Sequence, residues 1–275
     1  MTESLNRWCV KKAARTAVML GSLASSSMAI RRLTGESKVR VLTYHRFGQA
    51  QRDPWCVAPQ AFDEQMRWLA ERRLAVTLED VLRFARGEID LATGSVLVTM
   101  DDGFGSIASV AAPILREYGI PSVAYITTEA IGNAAAGMGA GEPFLTWDQV
   151  AGLSADGMTI GSHGHTHRSM AKLEPHDVRE EGQRSKRLIE ACLGKEVASF
   201  AYPFGMRNDE NPVTARIMTE CGYSSVFISQ HGTIRPGTNP LRLPRIKVEA
   251  GEPLWLFKLL CKGGMDAWTF ADKVL

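Results

Sequence analysis

The sequence has few features of a disulfide-stapled, membrane-spanning or nucleic-acid-binding protein. Its five cysteines show no CxxC or other paired spacing, which argues against a disulfide framework and a zinc–thiolate site. Its longest stretch without a charged residue or histidine covers the fifteen residues 16–30 and includes several serines, so it is too short and too polar to cross a bilayer. Basic residues outnumber acidic ones by only 32 to 30, and this near-neutral charge argues against a general nucleic-acid binder.

The small net charge conceals an uneven distribution. Residues 1–40 carry eight basic and two acidic side chains, a net +6, so the remainder carries 24 − 28 = −4. Arg7, Lys11 and Arg15 recur every four residues, which predicts a basic amphipathic helix in contact with an anionic membrane surface through residues 5–20.

This basic segment, residues 1–38, has two alternative interpretations. One is a secretory signal with a cleavage site at Ser27-Met28-Ala29, and the other is a functionally neutral terminus. The unpaired cysteines favour a cytoplasmic protein, associated with a membrane through its basic segment. Export through an N-terminal signal is the alternative.

From Val39 onward, short β-branched runs alternate with helical patterns. The alternation predicts an α/β fold with a mainly parallel sheet, either open and doubly wound or closed as a barrel. It shows no break, so residues 39–275 are expected to form one domain. The predicted strands are 39–43, 95–100, 122–126, 158–161, 199–201 and 224–228, and the predicted helices are 59–73, 106–118, 146–155, 174–193 and 211–221.

Four polar clusters follow predicted strands directly. They are Tyr44-His45, Asp101-Asp102-Gly103, the run from His163 to His167, and Pro203-Phe204-Gly205. The carboxyl ends of parallel strands meet at one edge, where ligands bind in such folds. We therefore expect the four clusters to converge, although more than 100 residues separate the first from the last.

The aspartate pair suits two separate tasks. Adjacent carboxylates just past a strand point in opposite directions, so one could bind a metal while the other acts as a general base. A simpler explanation of Asp101-Asp102-Gly103 is a turn capped by a carboxylate.

Three of the six histidines lie at alternate positions, His163, His165 and His167. The i, i+4 spacing of His163 and His167 suits two ligands on one ion. One carboxylate with two histidines leaves positions open for water and substrate on a divalent metal such as zinc. His165 could be a third ligand, an acid or a solvated neighbour, and we favour the last.

The motifs VLTYHRF, VTMDDGF, IGSHGHTH and SFAYPFG, in this order, resemble those of the polysaccharide deacetylase family, the carbohydrate esterases with a NodB-homology domain. The similarity covers about residues 39–248. The resemblance implies a distorted (β/α) barrel with a single catalytic domain. It also implies a metal-dependent hydrolase that removes N-acetyl groups from N-acetylhexosamine units of a polysaccharide or glycan precursor.

The resemblance also implies roles for individual residues. Asp101 would be the catalytic base, and Asp102, His163 and His167 would bind the metal, with zinc expected before cobalt or nickel. The backbone N–H of Phe204 would help to stabilise the oxyanion. The partner would be an N-acetylated oligosaccharide or polysaccharide.

The chain departs from the family pattern in three places. The family's arginine two residues before the motif proline is Ala201 here, so Arg245 in LPRI is our candidate for orienting the base. Gly164 stands where Ser or Thr usually follows the first metal histidine. No clear Leu-x-His motif supplies the acid, for which His45 is the best substitute and His231 a weaker one.

These departures keep two other functions open. A catalytically impaired glycan-binding domain would fit Ala201 and the missing Leu-x-His motif, and a metal-dependent amidase or deformylase would use the same site on another substrate. Among the tryptophans, Trp55 and Trp147 are expected to stack on sugar, and Trp68 and Trp255 are expected to lie in the core.

Overall fold

Short parallel strands form the centre of the molecule. A computed structural model describes residues 4–24, 38–133, 141–266 and 268–272. Its strands are β1 (Arg40–Tyr44), β2 (Arg46–Phe47), β3 (Cys56–Val57), β4 (Val96–Met100), β5 (Ser122–Ile126), β6 (Thr159–Ser162), β7 (Ser199–Ala201), β8 (Ser225–Phe227) and β9 (Ile246–Lys247). Seven of them form a parallel sheet in the order β8-β7-β6-β5-β4-β1-β9, and β2 and β3 form a separate pair.

The segment that ends in β9 curls this sheet towards closure. Leu243 forms a parallel bridge with Phe227 of β8, and three residues later Ile246 pairs with Leu42 of β1. One short segment therefore contacts both ends of the strand order. The result is the distorted (β/α) barrel that the family resemblance implies, and that expectation is confirmed.

Alternation along the strands separates the inside of the barrel from the outside, because successive side chains of a strand point to opposite faces. Val41, Leu97, Val123 and Tyr125 belong to one buried cluster. Their strand neighbours belong to a second, larger cluster that includes residues of the surrounding helices. Asp101, four residues after Leu97, therefore lies at the open end of the interior.

The helices cover the outside of the sheet. They are α1 (Leu5–Ala24), α2 (Pro59–Glu71), α3 (Leu78–Ala85), α4 (Ala112–Glu117), α5 (Trp147–Ala155), α6 (Pro175–Leu193), α7 (Pro212–Glu220), α8 (Leu254–Cys261) and α9 (Trp268–Ala271). Local sequence explains several boundaries: Thr77, Thr146 and Asn211 accept hydrogen bonds from the first turns of α3, α5 and α7 as N-caps.

All the predicted strands and helices occur, with small shifts at their ends. The predicted helix 106–118 differs most, because it begins as a π-helix over Ile107–Ala111 before α4. The predicted strands and helices did not include α3, α8 and α9, nor the two-residue strands β2, β3 and β9.

The amphipathic segment near the N-terminus forms α1. Among the described residues, no helix is long and apolar enough to cross a membrane. Met19 of α1 is fully buried in the main core, and the helix packs against α8. Membrane contact through residues 5–20, the 1–38 boundary and the cytoplasmic location stay predictions, and the proposed cleavage site at residues 27–29 lies outside the described residues.

Candidate metal centre and catalytic site

Three side chains from two loops meet at the open end of the barrel. Asp102 follows β4, and His163 and His167 follow β6. Asp102 Oδ1 lies 3.5 Å from His163 Nε2 and 3.2 Å from His167 Nε2. Within the described part of the chain, these residues form the one His/Cys/Asp/Glu group that could hold a metal ion.

The backbone is unusual at this group. Asp102, His167 and Phe204 have φ values of 74°, 57° and 61°, in the left-handed region that side chains other than glycine rarely adopt. They are three of the five non-glycine residues with positive φ in the described ranges. Such conformations are retained where the surrounding fold imposes them, commonly at functional sites.

His163 is oriented by the chain itself. Its Nδ1–H donates to the carbonyl oxygen of Ala201 over 2.8 Å, which leaves Nε2 with a free lone pair towards Asp102. Burial lowers the pKa of His163 to about 4, so the ring is neutral near pH 7. A neutral imidazole fixed by a hydrogen bond at its other nitrogen is a ready metal ligand.

The donor set fits a divalent metal. Asp102 Oδ1 is buried and has no hydrogen-bond partner within the described residues, which is costly for a carboxylate oxygen unless another group satisfies it. Two ligands that share a tetrahedral zinc ion stand about 3.3 Å apart, close to the distances from Asp102 to the two histidines. Burial alone would raise the pKa of Asp102, but His167 and the neighbouring histidines hold it well below its ordinary value.

Asp101 is held by an arginine from a distant part of the chain. Arg245 Nη1 donates to Asp101 Oδ1 over 2.7 Å, and both side chains are almost fully buried. Arg245 also donates to the carbonyl of Ile228 and the hydroxyl of Ser229. Burial raises the pKa of Asp101, but Arg245, His163 and His45 together outweigh this effect, so the pKa is lowered. Asp101 is therefore ionised, with Oδ2 3.9 Å from His163 Nε2.

Two departures from the family pattern have physical explanations. Ala201 has no side-chain donor for Asp101, and Arg245 donates to that carboxylate from the opposite edge of the sheet. Gly164 has a φ of +80°, and a Cβ there would lie 3.1 Å from Met170 Cε and 3.2 Å from Glu181 Oε2. A serine or threonine at this position would be strained.

His165 takes no part in the metal group, and the expectation that it is solvated is wrong. It is 9% exposed, and its Nδ1 lies 2.9 Å from Thr128 Oγ1. Its backbone N–H donates to Glu181 Oε2 over 2.7 Å. His165 therefore packs inward and anchors the loop between the two metal-site histidines.

Glu181 is a functional candidate that the motif analysis missed. Its carboxylate accepts hydrogen bonds from the backbone N–H groups of His165 and Thr166, from the Thr166 hydroxyl, and from Arg168. It fixes the loop that presents both histidines. The sequence pattern could have indicated it, because Glu181 lies on the buried stripe of α6 with Val178, Ser185 and Ile189. A glutamate is rarely buried there unless it is paired.

The loop after β7 presents a free backbone donor. Ser229 N–H donates to Gly205 O over 2.8 Å and fixes the turn, in which a Cβ on Gly205 would meet Ser229 N at 2.7 Å. The Phe204 N–H donates no hydrogen bond within the described residues. The Phe204 ring is exposed and lies edge-on to His167, with centroids 4.8 Å apart.

The two candidate acids lie in different surroundings. His45 follows β1, and burial lowers its pKa, although the charges of Asp102 and Asp101 oppose that effect. His231 instead pairs through Nδ1 with Asp272 over 2.9 Å. The structure therefore brings His45, and not His231, into electrostatic contact with the two aspartates.

The tryptophans are placed partly as expected. Trp55 is 41% exposed and its ring centroid lies 4.4 Å from that of His45. Trp68 is buried, whereas Trp147 packs partly against the core. Trp255 is 52% exposed, so its assignment to the core is wrong: the first turn of α8 turns it away from the apolar stripe of that helix.

Comparison with known proteins agrees with this geometry. The family model for polysaccharide deacetylase matches residues 89–226, which are 138 of the 275 residues. The chain belongs to this family. The matched range includes the aspartate pair, the histidines and the YPFG loop, whereas His45 and Arg245 lie outside it.

Individual deacetylases extend the similarity beyond that range. The poly-β-1,6-N-acetyl-D-glucosamine N-deacetylase of Staphylococcus epidermidis is 24% identical over 204 residues, which cover 70% of this chain and 68% of that protein. The structure of IcaB from Ammonifex degensii matches with a TM-score of 0.70 and 27% identity, over 83% of this chain and 97% of that one. The Streptococcus pyogenes deacetylase PplD, solved with acetate, matches with a TM-score of 0.71 and 21% identity, over 81% and 97% of the two chains.

Proposed function

We propose that this chain is a metal-dependent hydrolase that removes N-acetyl groups from N-acetylhexosamine units of a polysaccharide or glycan precursor. The observation that carries the proposal is the arginine-held carboxylate of Asp101 beside the group Asp102, His163 and His167. Support for the substrate class comes from the Staphylococcus epidermidis relative, which is named for its action on poly-β-1,6-N-acetyl-D-glucosamine.

Asp102, His163 and His167 are proposed to hold the metal, which we expect to be zinc because one carboxylate and two imidazoles suit that ion. When bound there, the metal would supply the Lewis acidity that activates water and polarises an acetamido carbonyl. Asp102 contributes the negative charge that attracts the ion, and His163 contributes a nitrogen whose direction the carbonyl of Ala201 fixes.

Three further residues would transfer protons or stabilise the negative charge of the transition state. Asp101, kept ionised by Arg245, accepts the proton of the attacking water. The Phe204 N–H donates to the oxygen that becomes negative as the tetrahedral state forms. His45, in the imidazolium form that the charges of Asp102 and Asp101 favour, donates a proton to the departing amine nitrogen as the C–N bond breaks. The products are acetate and a glycan with a free amine.

The binding-module alternative loses its main support in this arrangement. It rested on Ala201 and on the missing Leu-x-His motif, and the hydrogen bond from Arg245 to Asp101 supplies the arginine contact that Ala201 cannot make. An amidase or deformylase remains a chemical competitor, because it would use the same groups on a different amide.

A substrate panel separates these functions. The zinc-loaded protein is incubated with a β-1,6-linked N-acetylglucosamine oligomer, its N-formyl analogue and a simple N-acetyl amide without a sugar. We expect acetate and free amine to appear in equal amounts, and fastest from the N-acetylated oligomer. Faster release from either of the other compounds would favour an amidase or deformylase, and glycan binding without any release would favour a binding module.

A further inference from the structure

An aromatic and a cationic side chain lie together at the rim of the site. Lys247 comes two residues after Arg245 on the segment that closes the barrel. Residues two apart in an extended segment lie on the same face, so the side chain of Lys247 lies on the same face as that of Arg245 and nearer the open end of the barrel. Lys247 Nζ lies 3.3 Å from the centroid of the Trp55 ring. The ring of His45 meets the same indole from the side. This rim therefore adjoins the proposed acid.

The chemistry of this pair suits a sugar ring. Trp55 keeps an exposed apolar surface on which the C–H face of a sugar can pack. The ammonium of Lys247 has three donors for hydroxyl or carbonyl oxygens. Burial lowers the pKa of Lys247 to about 8 while Glu249 partly opposes that effect, so the group remains mostly protonated at pH 7.

Side chains of α1 bind the backbone of Lys247 and two acidic residues near it. Arg15 is only 8% exposed, and its Nη2 donates to the backbone carbonyl of Lys247 over 2.6 Å. Its Nε donates to the buried carboxylate of Glu252. From the same helix, Lys12 Nζ binds Glu249 Oε2 over 2.9 Å. One helix therefore contacts both the backbone of Lys247 and the carboxylate beside its ammonium.

The face of α1 that makes these contacts shares only Arg15 with the basic face in the sequence pattern. Trp8, Lys12, Arg15 and Met19 follow the spacing of one helical face, and a Cβ on Gly251 would lie 3.1 Å from the Trp8 ring. Arg15 is buried, whereas Arg7 on the same helix is exposed. Charged side chains are buried when they are paired, and Arg15 is paired twice.

We propose that Trp55 and Lys247 bind the sugar next to the one that loses its acetyl group, and that Arg15 of α1 is a positioning residue for Lys247. The inference rests on the proposed function for the identity of the ligand. It makes α1 a part of the active-site rim.

Binding to an inactive protein tests the inference without turnover. In the Asp101→Asn background, the affinity for a β-1,6-linked N-acetylglucosamine tetramer is measured by calorimetry. Lys247→Met and Arg15→Met are each expected to weaken binding about tenfold. The double variant is expected to bind no more weakly than Lys247→Met alone, because Arg15 acts through Lys247. Arg7→Met, on the exposed side of α1, is the matched control and is expected to bind like the parent.

A second variant separates positioning from stability. Arg15→Lys keeps the cation near Glu252 but cannot reach both of the acceptors that Arg15 binds, so its affinity is expected to fall between those of the parent and Arg15→Met. Trp55 fluorescence is expected to change in Arg15→Met as the ammonium shifts from the indole. Unchanged affinity in Lys247→Met, or wild-type affinity in both Arg15 variants, would overturn the inference. Losses that multiply in the double variant would overturn the role of Arg15.

The outcomes separate this inference from the proposed function. Acetate release by the wild type together with Lys247-independent binding would defeat the inference alone. Lys247-dependent binding without acetate release by the wild type would defeat the proposed function alone.

Discussion

Arg245 donates a hydrogen bond to Asp101 across 144 positions of the sequence. The contact forms because the segment leading into β9 bridges the two ends of the sheet and brings Arg245 over the carboxyl end of β4. It explains how Asp101 has an arginine partner although Ala201 stands where the family has an arginine. The carboxylate of Asp101 is held by the segment that leads into β9.

Loss of this arginine is expected to affect catalysis more than metal binding. Arg245→Met should lower kcat/KM by about 100-fold, a typical contribution of a positioned acid or base. Without the guanidinium, burial raises the pKa of Asp101, so the acid limb of the pH–rate profile should move to higher pH. Bound zinc, measured by elemental analysis, should stay at the parent level, and an unshifted acid limb would contradict this role of Arg245.

Removal of the metal is expected to abolish activity reversibly. Dialysis against a chelator should stop acetate release, and added zinc should restore it. His163→Ala should lose most of its bound zinc, because only two of the three proposed ligands remain. Added zinc should therefore restore little activity to this variant. Ser109→Ala, an exposed change on the π-helix, serves as the control with normal zinc content. Full activity of the chelated protein would refute metal dependence.

Glu181 is expected to matter to the metal although it lies outside the ligand group. Glu181→Ala frees the backbone of His165 and Thr166 and should weaken zinc affinity about 10- to 100-fold, the usual cost of losing an outer-shell partner of a metal site. A competition titration with a fluorescent chelator measures this change. Glu180→Ala, at the exposed neighbouring position, should bind zinc normally, so equal affinities of the two variants would argue against the role of Glu181.

We expect the backbone conformation at position 164 to require glycine. Gly164→Ser restores the residue type common in the family but places a side chain at φ +80°, which costs about 1–3 kcal/mol of unfolding free energy. Urea unfolding measures this loss. Gly152→Ala within α5 has open space and ordinary helical φ, and is expected to be neutral or stabilising. A Gly164→Ser protein as stable as the parent would show that the loop can adopt another conformation.

The assignment of the acid is tested by comparing two histidines. His45→Gln should lower kcat about 100-fold while zinc content stays normal, because the charges of both aspartates act on His45 and it lies outside the metal group. His231→Gln, which breaks only the pair with Asp272, should leave kcat near that of the parent. The reverse pattern would transfer the acid role to His231.

Much of the fold was predictable because its signals are local. The alternation of β-branched runs with helical patterns predicted six strands of the sheet, and polar clusters after β4, β6 and β7 predicted a common site. Closure of the barrel was not predictable from these patterns. It depends on single pairings of Leu243 and Ile246 with strands that lie far away in the sequence.

The misplaced residues share one physical reason: burial depends on partners that the sequence pattern does not reveal. The sequence predicted a solvated His165, but its ring contacts Thr128 and its backbone binds Glu181. The sequence pattern placed Arg15 among several surface cations, but in the structure it is buried against Glu252 and the carbonyl of Lys247. Trp255 looked like core because the helical pattern does not fix which face of α8 meets the body.

The most direct test of the account is a paired measurement on Asp101→Asn. Bound zinc and acetate release from a β-1,6-linked N-acetylglucosamine oligomer are measured for this variant and for the wild type. The account predicts equal zinc in both proteins, with acetate release in the wild type and almost none in the variant, because the amide retains the shape of the aspartate but not its basicity. A variant that binds zinc and releases acetate as fast as the wild type would contradict the assignment of Asp101 as the base.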